Sequence, residues 1–469
     1  MKDYTTISRV YFIGIGGIGM SALARYYLSQ KVSVSGYDKT PTPLSRQMES
    51  EGIIIHYEDD VELLDKKADL VVYTPAIPSG HKEFNYYKEN NYEIAKRSDV
   101  LQQITKSSFN ICIAGTHGKT TISTMVAHIL RHSGFGCNAF LGGISVNYNT
   151  NFWSSDNNVA VVEADEYDRS FLKLSPDIAL ISAMDADHLD IYGTKENMQN
   201  AFVEFANQLK AKGLLLTKYG LREKKFSADN HIQYSIQNTA ADAWASSITM
   251  HNGGYEFDVM TKSWMLDNVK LNMGGMHNVE NVIAAIVIAH SLKIDPVKIK
   301  NAVETFRGVK RRFEYIISPS EAEKEKYNVV FVDDYAHHPE ELNALIRGAK
   351  SLFSKRKCTI IFQPHLFSRT RDLAKEFAES LDMADEILIL PIYPARELPI
   401  EGVSSQMILE EMKNKNADVI SREELLKYLQ GNYLQSIKES TSGQLLITAG
   451  AGNIDQLIEP IKKILLNNI

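Results

Sequence analysis

The segment "NICIAGTHGKTTISTMVAHIL", residues 110–130, places a glycine turn between an apolar strand and an amphipathic helix. Such a turn presents backbone N–H groups and the positive end of the helix to an anion. Lys119 would reach the outer phosphates of a nucleotide, and Thr120 would offer its hydroxyl to Mg²⁺. A strict phosphate loop has glycine where Ile113 stands, so a turn that merely starts a helix is the alternative. The pattern favours a phosphate loop.

Acidic residues end the next two predicted strands, in "VVEADEYD" and "SAMDADHLD". The polar residues there are Glu163, Asp165 and Glu166 in the first segment, and Asp185, Asp187, His188 and Asp190 in the second. Because the carboxyl ends of parallel strands share an edge, these residues can lie near the phosphate loop. Acids at strand ends also cap helices or face solvent, so only some are expected to bind Mg²⁺. His188 is unusual among hard oxygen ligands and could instead hold a water or orient a carboxylate.

A second glycine turn, "YFIGIGGIGM" at residues 11–20, places Gly14, Gly16 and Gly19 in the G-x-G-x-x-G spacing. Asp38 follows about 20 residues later, where the ribose-binding acid of the dinucleotide fingerprint lies. Taken alone, this motif indicates an NAD-dependent oxidoreductase. The motif itself predicts only a diphosphate site. A glycine turn and a helix N-terminus let the backbone approach a diphosphate closely, whichever nucleotide carries that diphosphate.

Both turns belong to alternating strand-like and helical segments, which predict an α/β protein with parallel sheets. The apolar strands fall into three groups, with boundaries near 107 and 309. The predicted domains are a Rossmann-like domain at 1–107, a central P-loop ATPase domain at 108–309 and a second Rossmann-like domain at 310–469. Between about 213 and 275, short polar and aromatic pieces predict a small antiparallel addition to the mostly parallel central sheet.

The composition argues against several classes of protein. With 469 residues and 44% apolar content, the chain is expected to form two or three globular domains. No apolar stretch approaches the roughly 20 residues of a membrane helix, and the first residues lack a signal-peptide core. The net charge of −7 comes without a basic stripe for nucleic acid. Cys112, Cys137 and Cys358 are too widely spaced for zinc or redox pairs, which favours a cytoplasmic protein.

An ordered set of motifs runs through the whole chain. In order they are "GIGGIGMSALA", "GTHGKTT", "VEADEYDRSFL", "DADHLDIYG", "GMHNVENVIAA", "RRFE", "VDDYAHHPEE", "FQPHLFSRTRDL" and "YPARE". Together they closely resemble the Mur ligases, the amino-acid-adding enzymes of bacterial peptidoglycan synthesis. The resemblance implies an N-terminal UDP-sugar domain, a central ATPase domain and a C-terminal domain that closes over the nucleotide, with hinges near 107 and 309.

The implied reaction joins L-alanine to the lactyl carboxylate of UDP-N-acetylmuramate, with ATP and Mg²⁺ as cofactors and with ADP and phosphate as products. The carboxylate would become an acyl phosphate, which the amine attacks through a tetrahedral intermediate. The implied partners are the UDP-sugar and alanine, with no nucleic acid and no membrane, for a monomer or homodimer. The alternatives are a ligase that attaches a recycled tripeptide to the same sugar, a folylpolyglutamate synthase, an NAD-dependent oxidoreductase and a nucleotide-sensing protein.

The resemblance also implies roles for individual residues. The ATP-binding residues would be Gly115, Thr116, His117, Gly118, Lys119, Thr120, Thr121, His277, Asn278, Arg312 and Asp334. The UDP-sugar would contact Gly16, Gly17, Ile18, Gly19, Met20, Asp38, Thr74 and Ala76. Metal ligands would be Thr120, Glu163 and His188, and the residues facing alanine and the acyl phosphate would be Tyr335, His337, His365 and Arg369. The catalytic residues among them would be Lys119, Glu163, His188, His337 and Arg369.

Several of these positions have other interpretations. His337 and His188 both qualify to accept the ammonium proton of alanine, and spacing does not choose between them. His338 and Pro339 could simply start a helix. Leu366 stands where some Mur ligases have arginine. We therefore do not expect Leu366 to make the substrate contact that an arginine could make there. His56, in "GIIIHYEDD", has no family counterpart and is interpreted as a histidine at a strand edge.

Overall fold

The computed structural model describes residue 4 and residues 7–186, 189–221, 226–324, 328–395 and 397–467. Its strands are β1 (Arg9–Ile13), β2 (Ser33–Tyr37), β3 (Ile54–His56), β4 (Leu70–Tyr73), β5 (Ile94–Lys96), β6 (Phe109–Ala114), β7 (Asn138–Ser145), β8 (Thr150–Trp153), β9 (Val159–Glu163), β10 (Ile178–Ile181), β11 (Leu214–Lys218), β12 (Asn230–Ser235), β13 (Ala243–His251), β14 (Gly254–Thr261), β15 (Met265–Leu271), β16 (Glu314–Ile317), β17 (Val329–Asp334), β18 (Lys357–Phe362), β19 (Glu386–Ile389), β20 (Ala417–Val419) and β21 (Gln444–Ala449).

The helices of the same residues are α1 (Ile18–Ser29), α2 (Pro43–Ser50), α3 (Lys82–Glu89), α4 (Arg97–Thr105), α5 (Lys119–His132), α6 (Leu189–Tyr192), α7 (Lys195–Ala206), α8 (Met276–Ser291), α9 (Pro296–Thr305), α10 (Pro319–Lys324), α11 (Pro339–Leu352), α12 (Phe367–Leu381), α13 (Gln406–Glu411), α14 (Arg422–Tyr428), α15 (Leu434–Glu439) and α16 (Ile458–Asn467). Short 3₁₀ segments lie at Tyr167–Lys173 and Asn453–Leu457, and a π-helical turn lies at Leu429–Tyr433. No helix in these ranges is long and apolar enough to cross a membrane.

The first sheet is wholly parallel, in the order β3-β2-β1-β4-β5. Its central strand β1, "RVYFI", is apolar on both faces and almost entirely buried, as expected for a parallel strand under helices. The strand order reverses between β1 and β4, and open α/β sheets bind ligands at the carboxyl end of such a switch point. The first glycine turn follows β1 and Thr74 follows β4, so both lie at that point.

Ten strands form the second sheet, in the order β15-β14-β13-β12-β11-β10-β6-β9-β7-β8. The strands from β12 to β7 in this order run parallel, and β8 pairs antiparallel with β7. Because β6 lies between β9 and β10, the segments after these three strands open at one edge, which confirms the predicted meeting of the phosphate loop with the acidic segments. Short turns join β13, β14 and β15, as predicted for the small addition.

The third sheet has the order β16-β17-β21-β18-β19-β20, and all its strands except β16 run parallel. Its central strands are buried in one apolar core with side chains of α11, α12 and α16, including Ile346, Phe377 and Ile461. The segments that follow β17, β18, β19 and β21 therefore share one edge. The three sheets give the three-domain α/β architecture that the sequence predicted.

The described residues form two compact units. The first contains 1–246, 259–266 and 280–303, and the second contains 247–258, 267–279 and 304–469. Within the first unit, α1 lies against β7 and β8, and the buried Arg25 pairs with Glu51 at 2.7 Å and donates to Asn151 Oδ1 at 2.5 Å. Asn151 Nδ2 donates to Ile18 O at 2.6 Å. These bonds fasten the first sheet to the second, and residue 107, expected as a hinge, lies inside this unit.

Candidate active site

The turn after β6 has the conformation of a phosphate-binding loop. Gly115 and Gly118 have φ values of +129° and +82°, which residues with a side chain rarely adopt. A Cβ on Gly115 would overlap Ser182 Oγ, so only glycine fits there. Gly118 caps α5, whose first residue is Lys119, and thereby directs the helix N-terminus at the loop. Ile113 is a fully buried residue of β6, so this shortened loop begins after the strand rather than within it.

The other residues of the loop differ in their exposure to solvent. Thr116 Oγ1 accepts a hydrogen bond from Asp185 N at 3.2 Å. His117 is exposed, and its Nε2 lies 3.5 Å from Asp185 Oδ2. Thr121 is buried, so only its backbone N–H can face a nucleotide.

Thr120 and Glu163 face each other beside this loop. Thr120 Oγ1 donates to Glu163 Oε1 at 3.0 Å, and Gly142 N donates to Glu163 Oε2 at 3.0 Å. Hydroxyl and carboxylate oxygens are the hard donors that Mg²⁺ prefers, so this pair fits a magnesium ion carried by a nucleotide. In the described ranges, no group of three His, Cys, Asp or Glu side chains is arranged to hold a metal. His188, the third predicted ligand, lies outside the described residues, as does Asp187.

Lys119 is paired with Glu166, an acid for which the sequence predicts no specific role. Lys119 Nζ donates to Glu166 Oε1 at 2.7 Å and to Gly115 O at 2.8 Å. Glu166 is fully buried, and its Oε2 has no hydrogen-bond partner among the residues described. A buried carboxylate requires a compensating cation, so Glu166 and Lys119 form one unit of the loop. Sequence spacing does not reveal which of several acids after a strand meets the lysine.

Asn281 of α8 is a second residue that the sequence did not single out. Its side chain is nearly buried, and its Oδ1 lies 3.0 Å from where a Cβ on Gly118 would stand. Its position one helical turn after His277 and Asn278 is the signal that could have found it. Those two predicted adenine contacts belong to the second unit, where Asn278 is buried and donates to Gly274 O at 2.7 Å, whereas His277 is exposed.

The first glycine turn is held by the end of β2 and by one acid. Gly14 N donates to Tyr37 O at 2.8 Å, and Gly17 caps α1. Gly16 N donates to Asp38 Oδ2 at 2.7 Å. The acid predicted to bind a ribose therefore has one oxygen engaged inside the turn, a contact that the fingerprint spacing does not reveal.

The remaining predicted UDP-sugar residues surround this turn. Ile18 is 36% exposed, whereas the Met20 side chain is buried in the core, so only the Met20 backbone can reach a ligand. A Cβ on Gly14 would lie 2.9 Å from Thr74 Cγ2, which places the segment after β4 against the turn. Ala76 is exposed on that segment.

His56 lies at the end of the edge strand β3, and its ring joins a buried network. Its Nδ1 donates to Glu58 O at 2.9 Å, and its Nε2 lies 2.7 Å from Tyr11 Oη, which is 2.5 Å from Glu83 Oε2. Burial raises the pKa of Glu83 to about 7 and lowers the pKa of His56. The Tyr11 hydroxyl has one hydrogen and can donate it to only one of its two neighbours. Because His56 carries its ring proton on Nδ1, the second contact is a hydrogen bond only if Glu83 is protonated or His56 carries a proton on Nε2 as well. The network ties β3 to β1 beside the glycine turn.

In the second unit, Asp334 ends β17 and holds the linker that precedes the third sheet. Its Oδ2 accepts from Phe313 N and its Oδ1 from Ala336 N, both at 2.7 Å. Arg311 and Phe313 have φ values of +61° and +48°, a left-handed conformation that residues with a side chain rarely adopt. The hydrogen bonds of Asp334 stabilise the backbone in this conformation. Arg312, a predicted ATP contact, lies between these two residues. Burial raises the pKa of Asp334 to about 6.

His337 lies just before α11, which His338 caps and Pro339 begins, so the helix-start interpretation of these two residues is confirmed. His337 Nδ1 donates to Tyr335 O at 3.0 Å because a carbonyl oxygen only accepts. In the neutral ring, Nε2 then carries the lone pair. Burial lowers the pKa of His337, and the Glu341 carboxylate, 3.3 Å from Nδ1, opposes that shift. The ring is thus suited to accept a proton at neutral pH.

His365 and Arg369 complete this group at the edge of the third sheet. The His365 ring stacks on Tyr393 at 5.8 Å and meets the His337 ring edge-on at 6.0 Å. His365 Nδ1 and Arg369 Nη1 are buried without a hydrogen-bond partner in the described part of the chain. A buried guanidinium nitrogen without an acceptor indicates a place for an anion. Leu366 caps α12 with a φ of +73°.

The sequence matches three descriptions of Mur ligase domains. They are "Mur ligase family, catalytic domain" over residues 9–109, "Mur ligase middle domain" over 113–289 and "Mur ligase, glutamate ligase domain" over 311–452. The chain belongs to the Mur ligase family. The resemblance drawn from the motifs is thereby confirmed, and the glycine turn after β1 belongs to a Mur ligase.

Relatives within the family match nearly the whole chain. The UDP-N-acetylmuramate–L-alanine ligases of Cytophaga hutchinsonii and Porphyromonas gingivalis are 45% and 43% identical to it over 98% of this chain, and over 97% and 99% of their own lengths. The solved UDP-N-acetylmuramate–alanine ligase of Thermotoga maritima has a TM-score of 0.80 at 27% identity, covering 97% of this chain and 98% of that one. A murein peptide ligase of Psychrobacter arcticus shares the fold, with a TM-score of 0.65 at 22% identity over 98% and 99%.

Proposed function

We propose that this Mur ligase joins L-alanine to the lactyl carboxylate of UDP-N-acetylmuramate at the expense of ATP. The observation that carries the proposal is the near-complete match, at 43% and 45% identity, to ligases of that name. The chemistry of the described residues agrees with it. The first unit offers a lysine at a glycine loop beside a hydroxyl–carboxylate pair, and the second offers a neutral histidine beside an unpaired guanidinium nitrogen.

The first step brings two anions together, because an oxygen of the lactyl carboxylate bonds to the γ-phosphorus of ATP while the bond from that phosphorus to the β,γ-bridging oxygen breaks and ADP leaves. Lys119 supplies positive charge for the outer phosphates, and the buried Glu166 orients its ammonium group. Thr120 and Glu163 would hold Mg²⁺, which neutralises phosphate charge when bound. The turn at Gly16, Gly17 and Gly19, with Thr74 and Ala76 beside it, binds the diphosphate of the UDP-sugar.

In the second step, the alanine nitrogen bonds to the carbonyl carbon of the acyl phosphate, and the phosphate leaves with its bridging oxygen. The amine attacks only after its ammonium form has lost a proton. His337 Nε2 accepts this proton, while His188 is the other candidate. Arg369 binds the anionic group on this side of the reaction, the alanine carboxylate or the acyl phosphate, and His365 and Tyr335 line the same place.

An acceptor panel tests the proposed function. The protein is incubated with ATP, Mg²⁺ and UDP-N-acetylmuramate, and phosphate release is followed after addition of L-alanine, glycine, L-serine or the recycled tripeptide. We expect fast release with L-alanine and a product with the mass of the alanine amide. Release only with the tripeptide would favour the recycling ligase, and nicotinamide turnover without phosphate release would favour an oxidoreductase.

A further inference from the structure

The motif "YPARE", which ends at Glu397, lies beside the start of α12 although it follows a different strand, β19. Tyr393 N donates to Pro364 O at 2.8 Å, and Leu366 N donates to Tyr393 O at 2.9 Å. Glu397 Oε2 accepts from Ser368 N at 3.0 Å, and Glu397 Oε1 accepts from the Ser368 hydroxyl. The motif therefore holds the chain just before and just after the residue where α12 begins.

The start of α12 has no cap of its own. The N-cap residue is Leu366, whose side chain has no hydrogen-bonding group, and the first turn contains no acidic residue. The first backbone N–H groups of a helix have no partner within the helix, and a carboxylate placed there accepts from them and stabilises the positive end of the helix dipole. Glu397 supplies this carboxylate from 29 positions further along the chain. Leu366 also has a φ of +73°, which a leucine adopts only where surrounding contacts hold it.

Arg369 lies in the first turn of α12, directly after the serine that Glu397 contacts. A cation in the first turn opposes the helix dipole, so the negative charge of Glu397 offsets the charge of Arg369 there. Donation by Ser368 holds the pKa of Glu397 below its usual range, so its carboxylate is ionised at neutral pH. Both oxygens of that carboxylate accept from Ser368, while Arg369 Nη1 has no acceptor among the described residues. Glu397 thus fixes the backbone beside Arg369 and leaves Nη1 available for an anion.

We propose that Glu397 is a positioning residue for the alanine side of the reaction, because it fixes the first turn of α12 and thereby holds Arg369 in place. This inference rests on the proposed function, which identifies the anionic group that Arg369 binds. Glu397 itself touches no substrate and acts through the backbone of Ser368. Without its carboxylate, the first turn of α12 is in place for only a fraction of the time, and kcat/KM for alanine falls in proportion to that fraction.

The test compares Glu397→Ala with wild type in steady-state kinetics. We expect kcat/KM for alanine to fall by about 10-fold, the size of a lost helix cap, while the KM values for ATP and UDP-N-acetylmuramate stay within about twofold of wild type. Glu397→Gln keeps a carbonyl oxygen that can accept from Ser368 N, so its loss should be smaller, about threefold. Glu424→Ala is the matched control, because Glu424 accepts from Ser421 N at 3.0 Å at the start of α14, a helix that carries none of the proposed site residues. It should leave kcat/KM for alanine unchanged.

A double variant shows whether Glu397 acts through Arg369. In an Arg369→Gln background, Glu397→Ala should lower kcat/KM for alanine by less than about twofold, because the group that it positions is already absent. Losses that multiply in the double variant would overturn the proposal. An unchanged kcat/KM for alanine in a folded Glu397→Ala variant would also overturn it, as would an equal loss in Glu424→Ala.

Hydrogen exchange at the start of α12 supplies an arm that needs no substrate. Mass spectrometry of the peptide that contains Ser368 should show exchange at least about 10-fold faster in Glu397→Ala and at the wild-type rate in Glu424→Ala, because only the first variant removes the acceptor of Ser368 N. Exchange at the wild-type rate in Glu397→Ala would overturn the proposal. If wild type does not ligate alanine, the proposed function fails, while the exchange experiment still decides whether Glu397 fixes this turn.

Discussion

Replacement of Lys119 by methionine should lower the rate of alanine ligation by about 100- to 1000-fold, the loss expected when a group that stabilises transition-state charge is removed. The ammonium group lies at the N-terminus of α5 within the glycine loop, and among the described residues no other lysine or arginine is bonded to Glu166. UDP binding should be unchanged, because the turn after β1 does not include Lys119. The measurements are phosphate release at saturating substrates and calorimetric titration with UDP.

The pairing of Lys119 with Glu166 determines how this experiment must be controlled. Removal of one partner of a buried ion pair leaves the other charge uncompensated and costs about 3–5 kcal/mol of folding stability. Lys119→Met should therefore be combined with Glu166→Gln, which replaces the buried carboxylate by a neutral amide of the same shape. Glu166→Gln alone is the matched control and should retain far more activity than the double variant. A folded double variant that ligates alanine at the control rate would refute the role of Lys119, and loss of UDP binding would refute the assignment of the first glycine turn.

Arg369→Gln should lower kcat/KM for alanine by about 100-fold and shift the acid limb of its pH profile to higher pH. The loss of kcat/KM follows from the removal of a partly buried guanidinium whose Nη1 has no hydrogen-bond acceptor among the described residues and is therefore able to bind an anionic substrate group. The shift follows from the charge. Burial and, after it, the positive charge of Arg369 lower the pKa of His365, and both also lower that of His337. Without this charge the pKa of His337 rises, so at a given acidic pH less of the ring is neutral and able to accept the ammonium proton.

The control for this pH experiment lies on the same helix. Arg371 is exposed and pairs with its neighbour Asp372, so Arg371→Gln removes an equal charge without reaching the histidines. We expect its pH profile to match that of wild type. Other groups also act on His337, since Glu341 raises its pKa and His338 lowers it, and both are unchanged in either variant. An unshifted acid limb in a poorly active Arg369→Gln variant would show that His337 is not the titrating base.

The fold followed from the sequence wherever apolar runs and glycines set the local structure. The apolar runs around Ile13, Ile113 and Phe362 predicted one strand in each of the three sheets, and all three are buried, as expected for parallel strands covered on both faces. Gly115 and Gly118 predicted the phosphate loop because their backbone conformations exclude other residues. The first glycine turn predicts a diphosphate site, which stays a prediction, and the family motifs elsewhere in the chain argue against its NAD interpretation.

Contacts between distant segments did not follow from the sequence. Arg97 reaches Gly19 only because the sheet order places β5 and α4 near the turn after β1, and no local pattern encodes that proximity. The pairing of Glu166 with Lys119 depends on side-chain rotamers, which spacing does not specify. The sequence predicts a hinge at residue 107 because it does not show that Arg25 and Asn151 meet. The buried hydrogen bond between these two side chains joins the first two sheets. Such polar contacts have no periodicity and appear only when the fold is known.

The most direct test of the central claim follows the oxygen atoms of the lactyl carboxylate. UDP-N-acetylmuramate labelled with ¹⁸O in that carboxylate is incubated with the protein, ATP, Mg²⁺ and L-alanine, and the phosphate and the product are analysed by mass spectrometry. Ligation through an acyl phosphate predicts phosphate that carries one labelled oxygen and an alanine amide that retains the other, both formed only when alanine is present. Release of unlabelled phosphate alongside an unchanged UDP-sugar would contradict the account.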